Sequence, residues 1–355
     1  MRLIHIAELL LACSILPFAA VAQEAPAAPA GAALEPAPAV VAAPVLTADA
    51  INLSALEEVP AEFRSPILVE GERAPAAKPD PAIVKLQVLL DRAGASPGVI
   101  DGFDGDNVRK AIVALEIMSG HNVDGIIDPD LLGQLDTAHQ AIGSYVITDE
   151  DIKEVTGEVP ADYAEKAKME FLGYASVAEA LAEKFHMDID LLKALNPSAQ
   201  FVPGETVLVA DVGAFRTGQV ARIEADKSLR QVRAYDANGG LIAAYPATIG
   251  SEDNPSPTGT HLVDAVVQMP NYTYNPKIHF QQGENTEVLT IPPGPNGPVG
   301  AVWIDLTEPT FGIHGTPEPA KIDKTASHGC VRLTNWDAQE LSHMVAKGVP
   351  VDFVG

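Results

Sequence analysis

Side chains able to do covalent chemistry gather near the C-terminus, in Ser327-His328-Gly329-Cys330-Val331-Arg332-Leu333, with Ile313-His314-Gly315-Thr316 upstream. The chain has two cysteines, and Cys13 falls inside an N-terminal stretch that reads as an export signal, which leaves Cys330 alone in the mature protein. A chain bound for an oxidising compartment normally pairs its cysteines or avoids them, so one unpaired thiol needs a reason. One reading is a buried, inert cysteine behaving as a small hydrophobe. The other is a nucleophile, favoured by the preceding glycine, the polar neighbours and two histidines nearby in sequence. Attack requires the thiolate, and a free cysteine ionises near pH ~8.5. A neighbour must therefore lower that value or take the proton during attack, and imidazole does this best at neutral pH.

His328 sits two residues before Cys330. In an extended segment the two share a face about 6–7 Å apart, which makes direct contact awkward. His314, at the end of a preceding strand, approaches from across the sheet and is the expected general base. Gly329 lets the backbone come close to a substrate. The amides of Gly329 and Cys330 are the expected oxyanion donors, and losing one such donor costs about 3–4 kcal/mol of transition-state stabilisation. Arg332 either holds a substrate carboxylate or braces the loop through a salt bridge. His261, His279 and His343 have no matching nucleophile nearby and are read as structural or solvent-facing.

At 355 residues the chain has room for two or three domains to position these groups. A hydrophobic content of 47% and a charged content of 20% describe an ordinary globular composition. The formal charge is −25, most of it ahead of residue 215, which argues against nucleic acid or anionic lipid as a partner. Arg2, the apolar run Leu9 to Val21 and the small-x-small site Ala20-Val21-Ala22 make residues 1–22 an expected signal peptide. That run is short of the ~20 residues a spanning helix needs, and no membrane segment is expected after cleavage. Residues 23–80 read as an Ala/Pro-rich disordered linker, with some helix around Leu53 to Glu58.

Apolar spacing predicts three short helices within 81–140: one from Pro81, one from Asn107 to Met118 and one from Pro129 to Leu135. Asp101, Asp104 and Asp106 do not keep the spacing of a calcium loop, and no metal is expected. Residues 166–212 read as strand, helix, helix, strand: Met169 to Tyr174 extended, helices capped by Ser176 and Asp188, then Thr206 to Val209. Residues 215–355 read as a mostly β unit, with a hairpin at Asn238-Gly239 and strands over Val263 to Gln268, Ala301 to Leu306, Thr310 to His314 and Val351 to Val354. Its single helix is capped by Thr334, with Asp337 three residues on, and ends at Gly348.

Three resemblances follow from these motifs. Lys85-Leu86-Gln87, Pro97-Gly98, Asp101-Gly102, Gly105 and Asp124-Gly125 resemble the helical peptidoglycan-binding module of wall enzymes. The βααβ order, with Ser176 to Phe185 and the Leu195-Asn196-Pro197 and Pro203-Gly204 turns, resembles a LysM module, which grips N-acetyl sugars. His314-Gly315-Thr316 and Ser327 to Leu333, with Pro257-Thr258-Gly259, Pro292 to Asn296, Trp303 and the Met269 to Pro276 stretch, resemble the L,D-transpeptidase catalytic domain of the YkuD type. That last resemblance implies a β-rich fold whose cysteine attacks a peptidoglycan stem tetrapeptide at its third residue. A terminal D-alanine leaves, and a neighbouring stem amine takes the acyl group, giving a 3→3 crosslink. Carried over by position, Cys330 is the nucleophile, His314 the base and Gly315 the carbonyl that orients the ring. Ser327, His328, Gly329 and Arg332 shape the site, and Tyr272 and Tyr274 wall the cleft.

No metal or organic cofactor is implied, the partners are stem peptides and glycan, and the location is the periplasm or cell wall. Water as acceptor makes the same site an L,D-carboxypeptidase, a protein amine makes it an attachment enzyme, and a lapsed site leaves a wall-binding anchor. If residues 81–211 only bind wall, their deletion is expected to leave turnover on soluble fragments intact.

Overall fold

The computed structural model describes residues 46–56, 59, 78–251, 254–278, 280–325, 327 and 329–355. The expected signal peptide, the 23–45 tether, His279 and His328 lie outside the described residues. Among those described, no helix is long and apolar enough to cross a membrane.

The helical region begins earlier than the linker expectation allows. α1 (Ala48–Asn52) starts on a Thr47 cap, and Ile51 is wholly buried against α2 (Pro81–Arg92). The Asn52 side chain accepts from the amides of Ala141 and Ile142, both at 2.9 Å. Residues 46–56 are thus a docked element and not part of a disordered linker, because one amide side chain and a few apolar residues find long-range partners. α2 opens on the Asp80 cap with Pro81 at its first position. α3 (Asp106–Ser119) closes on Gly120 at φ +71°, and α4 (Pro129–Leu132) is capped by Asp128. Buried Gln87 holds the loop between α2 and α3. It accepts from the amides of Asp101 and Gly102 and donates to the Asp101 carboxylate at 2.8 Å.

The βααβ region corrects the expected pairing. β1 (Ile142–Val146) is the antiparallel partner of β2 (Thr206–Ala210), from Ile142 opposite Ala210 to Val146 opposite Thr206. Met169 to Tyr174 forms no strand; it offers one isolated bridge, Val155 to Tyr174. Leu172 turns its amide and carbonyl to Pro293 and Asn296 instead, at 2.8 and 3.0 Å. The module therefore starts near residue 142 and carries an insertion, 147–175, that includes α5 (Tyr163–Lys166). Its helices α6 (Val177–Lys184) and α7 (Ile189–Leu195) start on Ser176 and Asp188, as the sequence predicts. Asn196 bonds Leu192 and Leu208, tying the end of α7 to β2.

The C-terminal region is built on a sheet of nine strands among the described residues. These are β3 (Arg222–Asp226), β4 (Gln231–Tyr235), β5 (Leu241–Pro246), β6 (Thr248–Ile249), β7 (Gly259–Gln268), β10 (Val302–Leu306), β11 (Gly312–His314), β12 (Val331–Arg332) and β13 (Pro350–Val354). A separate hairpin pairs β8 (Tyr272–Tyr274) with β9 (Leu289–Ile291). The sheet order is β5-β4-β3-β13-β7-β10-β11-β12-β6. β7 belongs to both halves, pairing with β13 near its start and with β10 along the rest. α8 (Asn335–Met344), capped by Thr334, covers the strands over a core that includes Ile304, Ile313, Val331 and Leu341. α8 stops at Met344, ahead of the expected Gly348, because Val345 is already extended.

These regions do not sit as separate beads. All the described residues fall in one compact unit, Pro44–Gly355. Leu241 and Ala244 of β5 complete the core of the helical region, and Ala95 bridges Ala244.

Candidate active site

Cys330 stands at the foot of β12, which runs parallel to β11 with Ile313 opposite Val331 and His314 opposite Arg332. Extending that register by one residue sets Cys330 opposite Gly312, two residues from His314, and residues two apart on a strand share a face. Thiol and imidazole are thus presented to one side from neighbouring strands. Both line a cavity of about 400 Å³, together with Tyr163, Tyr272, Trp303 and Arg332.

The backbone around the sulfur is set by contacts that leave little freedom. Ser327 is buried; its hydroxyl donates to the Cys330 carbonyl at 2.7 Å and its amide to Gly250 at 3.1 Å. Gly329 has φ +105°, and a Cβ there would lie 2.6 Å from the Phe311 ring. Only glycine fits this turn. The half-buried thiol reaches the Thr310 carbonyl at 3.6 Å, and Thr310 itself is held at φ +73°, a strained setting for a β-branched residue.

The imidazole is fixed from three sides. His314 Nδ1 donates to the Gly315 carbonyl at 2.7 Å, which leaves Nε2 as the acceptor in the neutral ring. Its face stacks on Trp303 with centroids 5.4 Å apart. The Gly315 backbone lies against Asn335, whose Oδ1 accepts from the Ala301 amide at 2.9 Å. A Cβ on Gly300 or Gly315 would meet that oxygen at 2.1 Å, which is why the motif needs glycine after the histidine. Asn335 Nδ2 in turn donates to Glu183 of α6 at 2.9 and 3.2 Å.

Electrostatics separate the two reactive groups into neutral partners. Burial, then the Arg332 cation, hold the His314 pKa down to about 4 against the pull of the Gly315 and Val299 carbonyls. Burial pushes the Cys330 thiol up, and the Gly312 backbone and Arg332 offset only part of that. No hydrogen bond joins thiol and imidazole in this resting geometry, and such bonds commonly tighten only with substrate. Neutral imidazole beside neutral thiol suits proton removal during attack, the second of the two routes the sequence leaves open.

Of the expected site residues, Cys330, His314, Arg332 and Tyr272 line one cavity, while Ser327, Gly329 and Gly315 shape its backbone. Tyr274 is corrected. Its side chain is wholly buried, and its hydroxyl bonds Phe280 and Gln282, so it supports the hairpin and does not wall the cleft. Period-two alternation along Tyr272–Tyr274 puts both rings on one side without saying which of them is covered. Tyr163 was not legible as a site residue, because it arrives from an insertion about 170 positions upstream of the cysteine.

Comparison with known proteins agrees with this geometry. Residues 221–352 match the family model "L,D-transpeptidase catalytic domain" (YkuD), and residues 79–135 match "Putative peptidoglycan binding domain". "Putative L,D-transpeptidase YkuD" of Bacillus licheniformis is 28% identical over 176 residues, 49% of this chain and 90% of that one. Its namesake in Bacillus subtilis is 47% identical over 114 residues, 32% of this chain and 54% of that one. "Probable L,D-transpeptidase YbiS" of Escherichia coli is 27% identical over 188 residues, 51% of this chain and 61% of that one. The stretch that holds Cys330 and His314 is thus similar to L,D-transpeptidase catalytic domains of the YkuD type, and the helical stretch ahead of it to peptidoglycan-binding domains.

Proposed function

We propose that the protein is an exported cysteine acyltransferase that acts on peptidoglycan and forms 3→3 crosslinks between stem peptides. The observation that carries this reading is the shared cavity, into which Cys330 and a neutral, oriented His314 both open. As substrate carbonyl meets sulfur, the Cys330 proton passes to His314 Nε2. The tetrahedral oxyanion collapses, the terminal D-alanine leaves with that proton, and a thioester remains on Cys330. A stem amine then attacks, gives its proton to the imidazole and releases the thiol. The stacked Trp303 ring and the Gly315 carbonyl keep Nε2 aimed through both halves. The βααβ region is read as LysM-like, holding glycan strands while the cleft works on their peptides.

Incubation of the purified protein with disaccharide tetrapeptides, followed by mass spectrometry of the products, tests this reading. Crosslinked dimers lacking one D-alanine are expected, with a thioester on Cys330 in trapped samples. Tripeptides without dimers would identify water as the acceptor. Cys330→Ser is expected to abolish both products with the melting temperature nearly unchanged, and retained product in that variant would remove the assignment.

A further inference from the structure

Beside the cleft that holds Cys330 lies a second arm of about 540 Å³, and the two share Tyr163, Pro298 and Arg332. One wall of this arm is foreign to the catalytic domain. Glu158, Tyr163 and Lys166 come from the 147–175 insertion of the βααβ region. The insertion is seated firmly. The Tyr163 amide donates to Gln282 at 3.0 Å, Gln282 donates back to Ala161 at 3.2 Å, and Asn285 donates to Asp162 at 3.2 Å. The Tyr163 ring meets Tyr272 and Tyr274 edge-on at 6.1 and 5.2 Å. A wall held this way is in place before any ligand arrives.

The charges in the arm are unequal in what they have left to do. Glu179 already accepts from the Ala175 amide and from Asn296 at 2.8 and 2.7 Å. Glu318 is paired with Lys321, and Glu158 is exposed at the mouth. Lys166 and Arg332 remain. Neither has a hydrogen bond or ion pair with any described residue, although both are half-buried and face the same space. Partly desolvated cations without counter-ions are costly, and an anion entering the arm removes that cost. Burial also draws the Lys166 pKa below its usual value, with Glu318 opposing, and its ammonium lies over the Tyr163 ring, 5.8 Å from the centroid. A guanidinium fork and an ammonium lining one arm suit a carboxylate.

We propose that the insertion-walled arm is a carboxylate subsite, in which Lys166 and Arg332 together hold a carboxylate of a stem peptide bound at Cys330. The inference rests on reading the cleft as a site of acyl transfer between stem peptides. It adds that a residue from outside the catalytic domain selects which stems are accepted. The carboxylate belongs either to the stem that is cut or to the stem that attacks, and the test separates them.

Full-length protein is assayed with peptide pairs that differ only in carboxylate against carboxamide, varied first in the donor and then in the acceptor. Wild type is expected to show a lower KM for the carboxylate form in one of the two positions, by on the order of tenfold. Lys166→Met is expected to collapse that ratio and Lys166→Arg to restore most of it, which a fold defect does not do. Whichever position carries the effect names the stem. Equal discrimination by wild type and Lys166→Met in both positions overturns the subsite. A carbapenem adduct on wild-type Cys330, read by intact mass, checks the underlying reading separately. Adduct and turnover with unchanged discrimination sink the subsite alone; neither adduct nor turnover sinks the acyl-transfer reading, and the subsite falls with it.

Discussion

At the scale of single residues, the site is tuned by what surrounds the reactive atoms more than by which atoms they are. His314 is held to about pKa 4 by burial first and Arg332 second, and the Cys330 thiol is pushed up by burial. Acyl transfer by this route needs the imidazole neutral at the outset, so on the acid side its rate should fall only as His314 takes up a proton. The expected kcat/KM profile is flat across neutral pH with an acid limb near 4. Simple alkylation of Cys330 by iodoacetamide, which uses thiolate alone, should keep rising into alkaline pH. Arg332→Met removes a cation that disfavours imidazolium, so the acid limb should move up toward neutrality. A wild-type limb near the ordinary histidine value would show that the ring is not held as described. The pairing of Cys330 with His314 was legible in the sequence through the two motifs. The neutral state of the pair was not, because burial and the position of Arg332 belong to the folded chain.

At the scale of elements, the site is braced from behind by a helix that belongs to another region. Glu183 of α6 accepts from Asn335 at the start of α8, and Asn335 holds the backbone turns at residues 300–301 and 315 that fix His314. Glu183→Ala leaves the buried Asn335 amide without that partner, at a cost of about 1–3 kcal/mol. It should lower both the melting temperature and kcat, whereas Glu183→Gln should keep most of each. Burial raises the Glu183 pKa to about 8. A carboxyl whose folded value exceeds its unfolded value contributes stability at low pH and loses it as pH rises through the folded value. The melting temperature of wild type should therefore decline between about pH 4.5 and pH 8, and Glu183→Gln should flatten that slope. Thermal scans of the three proteins decide it. Local signals in the sequence carried the elements whose causes are local. The caps at Ser176, Asp188 and Thr334 are where they were expected. The Asn238-Gly239 turn forms with Gly239 at φ +82°, and the Asp236 carboxylate accepts from the amides of Asn238 and Gly240. The pairing of β1 with β2 and the diversion of Leu172 to the 293–296 loop were not legible, since partners that far apart leave no periodic trace between them.

At the scale of the whole molecule, the regions that look like detachable wall-binding modules are parts of one packing unit. The junction of three regions is charged and buried. His186 bonds Asp91 at 2.9 Å and stacks on Trp336 at 5.2 Å, with Asp337 next to them. Burial works against a charge on His186, but Asp91 outweighs it and raises the pKa, while burial raises Asp337 to about 8. Both shifts have the sign given for Glu183, so the junction too is firmer in mild acid than in alkali. Deletion of 81–211 would uncover Leu241, Ala244 and Trp336 and leave Asn335 without Glu183. Each large apolar side chain exposed forfeits about 1.5–3 kcal/mol. The truncated protein is expected to aggregate or to melt far below the full chain, and not to keep its turnover as a separable-module arrangement would allow. A soluble truncation with full activity on small peptides would refute the single packing unit as a requirement.

A protonated sulfur is a sluggish target for peroxide and for disulfide exchange, because both reactions run through the thiolate. The thiol of Cys330 is kept in that form by its surroundings, with the base standing by to take the proton when a carbonyl arrives. In an oxidising milieu a thiol held this way would be protected between encounters with substrate without needing a resolving partner. Its lifetime there depends on the same walls that define the cleft.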